Sequence, residues 1–377
     1  MAKRLYFVAG EASGDEHGAA LMRALRGVAP DSEFHGRGGP LMRDIAGEAL
    51  MNWSDAAAVV GLWEVVKRYG YFRKQFQDTL DEIEFVDPDA VVLIDYPGFN
   101  LRLARALRKR SPQLKIIYYI SPQVWAWNRG RIRQMARFLD LMLCIFPFEA
   151  ELYNQSGLRT IFVGHPMIEN LAKRRTGEPR DPNLIGLFPG SRSREVKKIF
   201  PVMLGTAAEI IEQRPETQIE VAAASVSLRV DIQNLLANSS VRGKARVMTG
   251  DASGLMQRAS AGMIASGTAT LEAAYFRLPF VLVYKVSWPT YFAARLLMKT
   301  NHLGMPNVLA GREIVPEFLQ HEARPKAIAR SVLQLVNDPT ARDQMISEFD
   351  AIIEKLGEAG ASAKAADAIV QELSGKI

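Results

Sequence analysis

Two α/β domains, each built on a parallel sheet, are the fold class that the sequence predicts, and three features predict it. Strand-like apolar runs alternate with segments of helical spacing along the chain, the signature of repeated βαβ units. The runs are nearly continuous in apolar residues, as strands covered by helices on both faces require. Finally, 377 residues with 48% hydrophobic content suffice for two cores. A polar, Pro- and Gly-bearing stretch, "GHPMIENLAKRRTGEPRDPN" from Gly164, supplies the join. The expected domains are residues 1–166 and 167–345, followed by a helical segment, 346–377, with the option of packing back on the first domain.

Taken in order, "RLYFVAG", "AVVLID", "KIIYYIS", "LMLCIF" and "RTIFVG" are the expected strands of the first sheet. Those of the second are "LIGLF", "IEVAAA", "ARVMT", "GMIAS" and "PFVLVYKV". "REVKKIFPVMLGTAAEIIEQ" carries apolar residues three and four apart and predicts a helix, and "ARDQMISEFDAIIEKLGEAGASAKAADAIVQELS" predicts one or two more. The opening "LYFVAG" is too short for the apolar core of a signal peptide and leads into acidic residues, so it is expected to be the first strand. No apolar run reaches the length of a membrane span, and any membrane contact is expected to be peripheral.

Lys and Arg number 47 against 41 Asp and Glu, a net charge of +6, which suits an anionic partner. The basic residues are dispersed among acids with no basic and aromatic platform, so nucleic acid is not the expected partner. The one cysteine, Cys144 in "LMLCIF", excludes a disulfide framework and a cysteine metal cluster and suits a buried cytosolic thiol.

Ligands of such sheets bind beyond the carboxyl ends of the strands, so the residues directly after each run are the informative ones. After the first run, "GEASGDEHG" crowds Glu11, Ser13, Asp15 and His17 onto a glycine turn, either a binding loop or a helix cap with Asp15 and Glu16 facing the dipole. Asp95 follows "VVLI" in "DYPGFN". A carboxylate there would have its charged form desolvated, which suits a general base, or it would cap a helix starting near Asn100. "SPQVWAWNRGR" sets Trp125 and Trp127 beside Arg129 and Arg131, as a sugar or lipid site or as the packed wall between sheet and helix.

In the second half, "LFPGSRSREVKK" places Gly190, Ser191 and Arg192 at a turn that opens onto a helix N-terminus. Unpaired N–H groups and an arginine fork suit phosphate oxygens; alternatively Ser193 caps the helix and Arg192 and Arg194 are solvated. "ASGTATLEAA" repeats the arrangement with Ser266, Gly267 and Thr268, and adds Glu272 as an acceptor for a ribose diol; the alternative is a cap from Thr268 or Thr270. Two such loops in one sheet favour a nucleotide. Two look-alikes are set aside: "DPD", Asp87 to Asp89, precedes its strand and so lies at the wrong end of the sheet, and "HGRGG", His35 to Gly39, lacks the dinucleotide spacing. The stretch from Val59 to Phe76 mixes aromatic with basic residues, as an interfacial helix or an ordinary packed one would.

Together "AGEASGD", "IDYPGFN", "SPQVWAW", "FPFE", "GHP", "PGSRSREV", "SGTATLE" and "MPNVLAGRE" resemble the lipid-A-disaccharide synthase family, in order and over nearly the whole chain. The resemblance implies a GT-B glycosyltransferase, two Rossmann-like domains facing across a cleft. It implies an inverting transfer, without metal or cofactor, of 2,3-diacylglucosamine from its UDP donor to the 6-hydroxyl of 2,3-diacylglucosamine 1-phosphate. The products would be a β(1→6) disaccharide 1-phosphate and UDP. By the family's pattern Arg192 would bind the pyrophosphate, Glu272 and Asn307 would complete the nucleotide side, Asp95 would be the essential aspartate, and the Glu11 to Asp15 loop would face the acceptor. A cytoplasmic enzyme on the inner-membrane surface, with a homodimer as an option, is the corresponding expectation. A UDP-sugar 2-epimerase would share the uridine loops but need no acceptor.

Overall fold

The computed structural model describes residues 3–53, 69–126, 130–288, 291 and 302–375. The chain forms two compact units, Met1–Pro166 with Leu356–Ile377, and Met167–Lys355.

In the first unit, the strands β1 (Arg4–Ala9), β2 (Glu33–Gly38), β3 (Leu50–Asn52), β4 (Ala90–Ile94), β5 (Lys115–Tyr119), β6 (Leu141–Cys144) and β7 (Thr160–Phe162) form one sheet in the order β3-β2-β1-β4-β5-β6-β7. Every pair is parallel. The order reverses between β1 and β4, the doubly-wound arrangement whose switch point opens a crevice at the carboxyl edge. Helices α1 (Ala12–Val28), α2 (Pro40–Ala46), α3 (Tyr69–Val86), α4 (Pro97–Arg110), α5 (Gly130–Met135) and α6 (Pro147–Asn154) belong to this unit.

Strand β2 was hidden from sequence reading because it carries a histidine, an arginine and two glycines. Arg37 is buried yet inside it, because its guanidinium reaches Glu82 at 2.8 Å and Gln75 at 2.5 Å; a buried charge is tolerated when paired. Gly36 has φ 137°, and a Cβ there would overlap the carbonyl of Phe7 on the neighbouring strand. The "HGRGG" stretch is therefore strand and strand exit. "DPD" serves the amino edge: Asp89 accepts from the Arg4 N–H at 2.8 Å and pairs with Lys3 at 3.0 Å.

The second unit carries β8 (Asp181–Phe188), β9 (Gln218–Ala223), β10 (Ala245–Thr249), β11 (Ala259–Ile264), β12 (Phe280–Tyr284) and β13 (Glu317–Leu319), ordered β10-β9-β8-β11-β12-β13 and again parallel throughout. Its switch point lies between β8 and β11. Its helices are α7 (Met167–Ala172), α8 (Ser193–Gln213), α9 (Val226–Ala237), α10 (Ala252–Arg258), α11 (Ala269–Tyr275), α12 (Met305–Ala310), α13 (Pro325–Asn337) and α14 (Pro339–Lys355). The short strands β3 and β13, three residues each, offered too little apolar sequence to be read.

The chain does not leave the second unit at residue 345. Helix α14 runs unbroken through that point, burying Met345, Phe349 and Ile352, and the return comes at Leu356. The last helix, α15 (Ala361–Ser374), sets Ala365, Ala366, Ala368 and Ile369 into the core with Leu21, Met22 and Leu25 of α1. Small side chains let the two helices approach closely. Glu372 fixes the end of α15 by pairing with Lys115 at 2.8 Å and Arg159 at 2.5 Å.

Candidate active site

At the switch point of the first sheet, β1 and β4 run side by side with Ala9 opposite Ile94, and Glu11 and Asp95 follow them. Asp95 and Tyr96 both have positive φ, 45° and 49°. Neither is glycine, so the turn is strained, and its surroundings show what holds it. The Asn100 amide, fully buried, donates to the Asp95 carbonyl at 2.8 Å and to that of Ile94 at 3.2 Å; the Tyr118 hydroxyl donates to the Asp95 carbonyl at 2.6 Å. Trp53 donates to the Ala9 carbonyl at 2.7 Å and meets Phe99 edge-on at 5.0 Å. The Asp95 carboxyl thus stands half-buried at the edge of the sheet. Burial, then the negative charge of Glu11, push its pKa up to about 6, against the Tyr96 N–H, which favours the ionised form. The helix after it begins at Pro97, and Asn100 lies inside it as an anchor instead of at its start.

Asp15 does not join this pair. It is buried, and its carboxylate accepts from the N–H groups of Gly39 at 2.9 Å, Met42 at 3.0 Å and Leu41 at 3.0 Å. It caps α2 from inside α1. His17 is partly buried and held below its usual pKa by desolvation. His165 is pushed down to about 4 by burial and then by His17.

Sequence reading passed over Glu149. It is fully buried on α6 and accepts from Ser121 Oγ at 2.5 Å, Trp125 Nε1 at 2.8 Å and the Phe146 N–H at 3.3 Å. Burial raises its pKa to about 7, opposed by the Ser121 and Trp125 bonds. Two of the quoted motifs, "SPQVWAW" and "FPFE", meet on this one carboxyl group. Trp125 is accordingly packed; Trp127 and Arg129 lie outside the described residues.

In the second unit β8 and β11 end together, with Phe188 opposite Ile264 and the Ala265 N–H donating to the Phe188 carbonyl at 2.9 Å. The loops that follow are therefore neighbours. Gly190 has φ 110°, open to glycine but not to side chains, and an added Cβ would stand 3.6 Å from that of Ala265. Ser191 is exposed. Arg192 is exposed at the N-cap position of α8, with no side-chain cap, and reaches Glu195 at 3.0 Å. Ser193 does not cap; its hydroxyl donates to Asp231 at 2.6 Å. Ser266 is half-buried and Gly267, with φ 140°, and Thr268 are exposed. Thr268 makes no side-chain cap, whereas Thr270 donates to the Gly267 carbonyl at 2.8 Å. Glu272 is raised above its usual pKa by burial, against the pull of Arg174. Two glycine turns and the exposed Arg192, paired among the described residues only with Glu195 on its own helix, thus stand together at this edge of the sheet.

Asn307 lies on α12, which packs against α11. Its amide oxygen accepts from the Ile314 and Val315 N–H groups at 2.8 and 2.9 Å, and its nitrogen donates to the Val315 carbonyl and Glu317, both at 2.8 Å. All four hydrogen-bonding positions of the side chain are used. It ties α12 to β13.

Two doubly-wound sheets, one with an acid at its switch point and the other with phosphate-type loops at its own, define the GT-B class of glycosyltransferase. Among solved structures the chain is similar to the calicheamicin glycosyltransferase CalG4 (TM-score 0.58, 15% identity, 100% of this chain and 99% of that one). It is also similar to the UDP-GlcNAc 2-epimerase from Neisseria meningitidis bound to UDP-GlcNAc (TM-score 0.59, 12% identity, 99% and 100%). At such identities these likenesses speak for the fold alone. The family profile of lipid-A-disaccharide synthetase matches residues 5–371, and the lipid-A-disaccharide synthase of Geobacter sulfurreducens is 39% identical over 99% of this chain and 98% of its own. The chain belongs to the lipid-A-disaccharide synthase family, and it is an enzyme of lipid A disaccharide synthesis.

Proposed function

We propose that the enzyme transfers 2,3-diacylglucosamine from UDP-2,3-diacylglucosamine to the 6-hydroxyl of 2,3-diacylglucosamine 1-phosphate, with inversion, to give the β(1→6) disaccharide 1-phosphate and UDP. The observation that carries this reading is the half-buried Asp95 carboxyl at the first switch point, raised to about 6 and so poised to accept a hydroxyl proton near neutral pH. Inversion is a single displacement: the acceptor oxygen bonds to the anomeric carbon, the bond to the diphosphate oxygen breaks, and the hydroxyl proton passes to the base. In this reading Asp95 takes that proton. Glu11 keeps the site acidic and draws the hydroxyl in.

On the nucleotide side, Gly190, Ser191 and Arg192 with Ser266, Gly267 and Thr268 meet the charge that develops on the departing diphosphate, and Glu272 accepts from the ribose. Fixed N–H dipoles and a guanidinium fork suit that task. We place the enzyme at the cytoplasmic face of the inner membrane. The stretch from Val59 to Phe76 is the proposed contact; residues 59–68 of it lie outside the described residues, and no helix among the described residues is long and apolar enough to cross a membrane. A homodimer is compatible with this reading.

UDP release, measured with donor and acceptor together and separately, tests the proposal. Release that needs both, with a β(1→6) linkage in the product, is the expected outcome. Release or epimerisation with the UDP-sugar alone would replace the transferase reading.

A further inference from the structure

Helix α4 leads away from Asp95 along one wall of a groove of about 440 Å³. Pro97 and Gly98, directly after the Asp95–Tyr96 turn, line its near end; Lys109 lines it three helical turns further on, and α5 and Phe138 form the opposite side. The floor is apolar, with Leu101, Met135 and Phe138. The rim is basic. Arg102, Arg105 and Lys109 fall on one face of α4 by their spacing, and no carboxylate among the described residues lines the groove.

The state of those cations is the informative part. Arg108 and Arg110, on the same helix but turned elsewhere, are neutralised by Asp140 at 2.5 Å and Asp81 at 3.1 Å. Arg105 has only the uncharged Gln134 amide, at 3.1 Å, and the face of Phe138, 5.5 Å away. Arg102 and Lys109 have no ion-pair or hydrogen-bond partner among the described residues. Three cations held side by side repel one another unless an anion joins them, and guanidinium forks match phosphate oxygens. An apolar floor beneath a cationic rim matches an amphiphile whose head is a phosphate.

We propose that this groove binds, at its near end, the phosphate head of the acceptor lipid, a lipid monophosphate, with Arg102 on the phosphate oxygens and Arg105 and Lys109 extending the positive field that draws it in. The inference rests on the reading of the first unit as the acceptor side. It gives acceptor recognition a charge component separate from the base: the sugar hydroxyl meets Asp95 while the phosphate is held at the first turns of α4.

The test is the combined variant Arg102→Gln, Arg105→Gln, Lys109→Gln, whose exposed positions leave the fold intact. Three measurements are made on variant and wild type: the KM values for acceptor and donor, the affinity for n-dodecyl phosphate below its micelle concentration, and sedimentation with phosphatidylglycerol vesicles. The expected result is an acceptor KM and a dodecyl phosphate Kd each raised about tenfold or more, with donor KM and vesicle binding unchanged. Unchanged acceptor KM and dodecyl phosphate affinity would overturn the proposal. So would loss of vesicle binding with acceptor KM intact, which would make the cations a membrane contact. If wild type makes no disaccharide, the transferase reading fails and the groove is judged on dodecyl phosphate alone: weakened binding in the variant supports it, equal binding rejects it.

Discussion

The Asn100 side-chain amide donates to the Asp95 carbonyl, 2.8 Å away, so the residue proposed as the base is held at the sheet edge by its backbone. The strain of two successive positive φ values is carried by Asn100 and Tyr118, not by the Asp95 carboxyl.

Replacement of Asp95 by Asn keeps the size of the group and removes the proton acceptor. The expected outcome is kcat lowered by roughly a hundredfold or more, with UDP affinity by calorimetry unchanged. In wild type, kcat/KM should fall as pH drops through about 6, where burial and the charge of Glu11 put the Asp95 carboxyl, because the protonated acid cannot take a proton. A wild-type profile flat from pH 5 to pH 8 would move the base elsewhere.

Arg192→Ala should weaken UDP binding about tenfold or more, and Arg192→Lys should regain only part, since an ammonium cannot reproduce the fork. Calorimetric titration with UDP measures both. Wild-type affinity in the alanine variant would return Arg192 to its pairing with Glu195.

Asp15→Ala leaves three backbone donors at the start of α2, those of Gly39, Leu41 and Met42, without their acceptor and should lower unfolding free energy by about 2 kcal/mol or more. Asp15→Asn, which still accepts hydrogen bonds, should retain turnover per folded molecule within a few-fold of wild type. Urea denaturation and active-site-normalised kinetics check the two halves; a folded Asn variant without turnover would restore a chemical role to this carboxylate.

Glu149 makes stability depend on pH. Its pKa is about 7 when folded and 4.5 for the free side chain, so between those values the folded state holds more protons than the unfolded one. Its contribution to stability is therefore greatest below pH 4.5 and is lost as pH rises through about 7. Glu149→Gln should flatten this dependence, which urea midpoints of both proteins at pH 5 and pH 8 would reveal as a gap that changes between the two conditions.

The candidate site was legible where its signal was local. An apolar run ending in a polar residue or a glycine turn put Asp95, the Gly190–Arg192 loop and the Ser266–Thr268 loop at the carboxyl edges of the strands, because parallel sheets put such residues at one edge. It was illegible where the partner is distant in sequence. Asp15 finds its donors around Gly39, Glu149 finds Ser121 and Trp125, and Asn307 is used up by residues that follow its own helix. From sequence each looks like an unpaired polar group near a motif. Strand β2 was missed for the same reason, since its arginine reads as exposed until Glu82 is brought beside it.

The core of the first unit includes Ala365, Ala366, Ala368 and Ile369 of α15, whereas the second unit is a single uninterrupted stretch, Met167–Lys355. During translation the order of completion is therefore inverted. When a ribosome has delivered Lys355, every residue of the second unit exists, but the first unit, begun earlier, still lacks the helix that covers Leu21, Met22 and Leu25. The nascent chain must carry that half-built core, with apolar surface open to chaperones, until its final segment emerges.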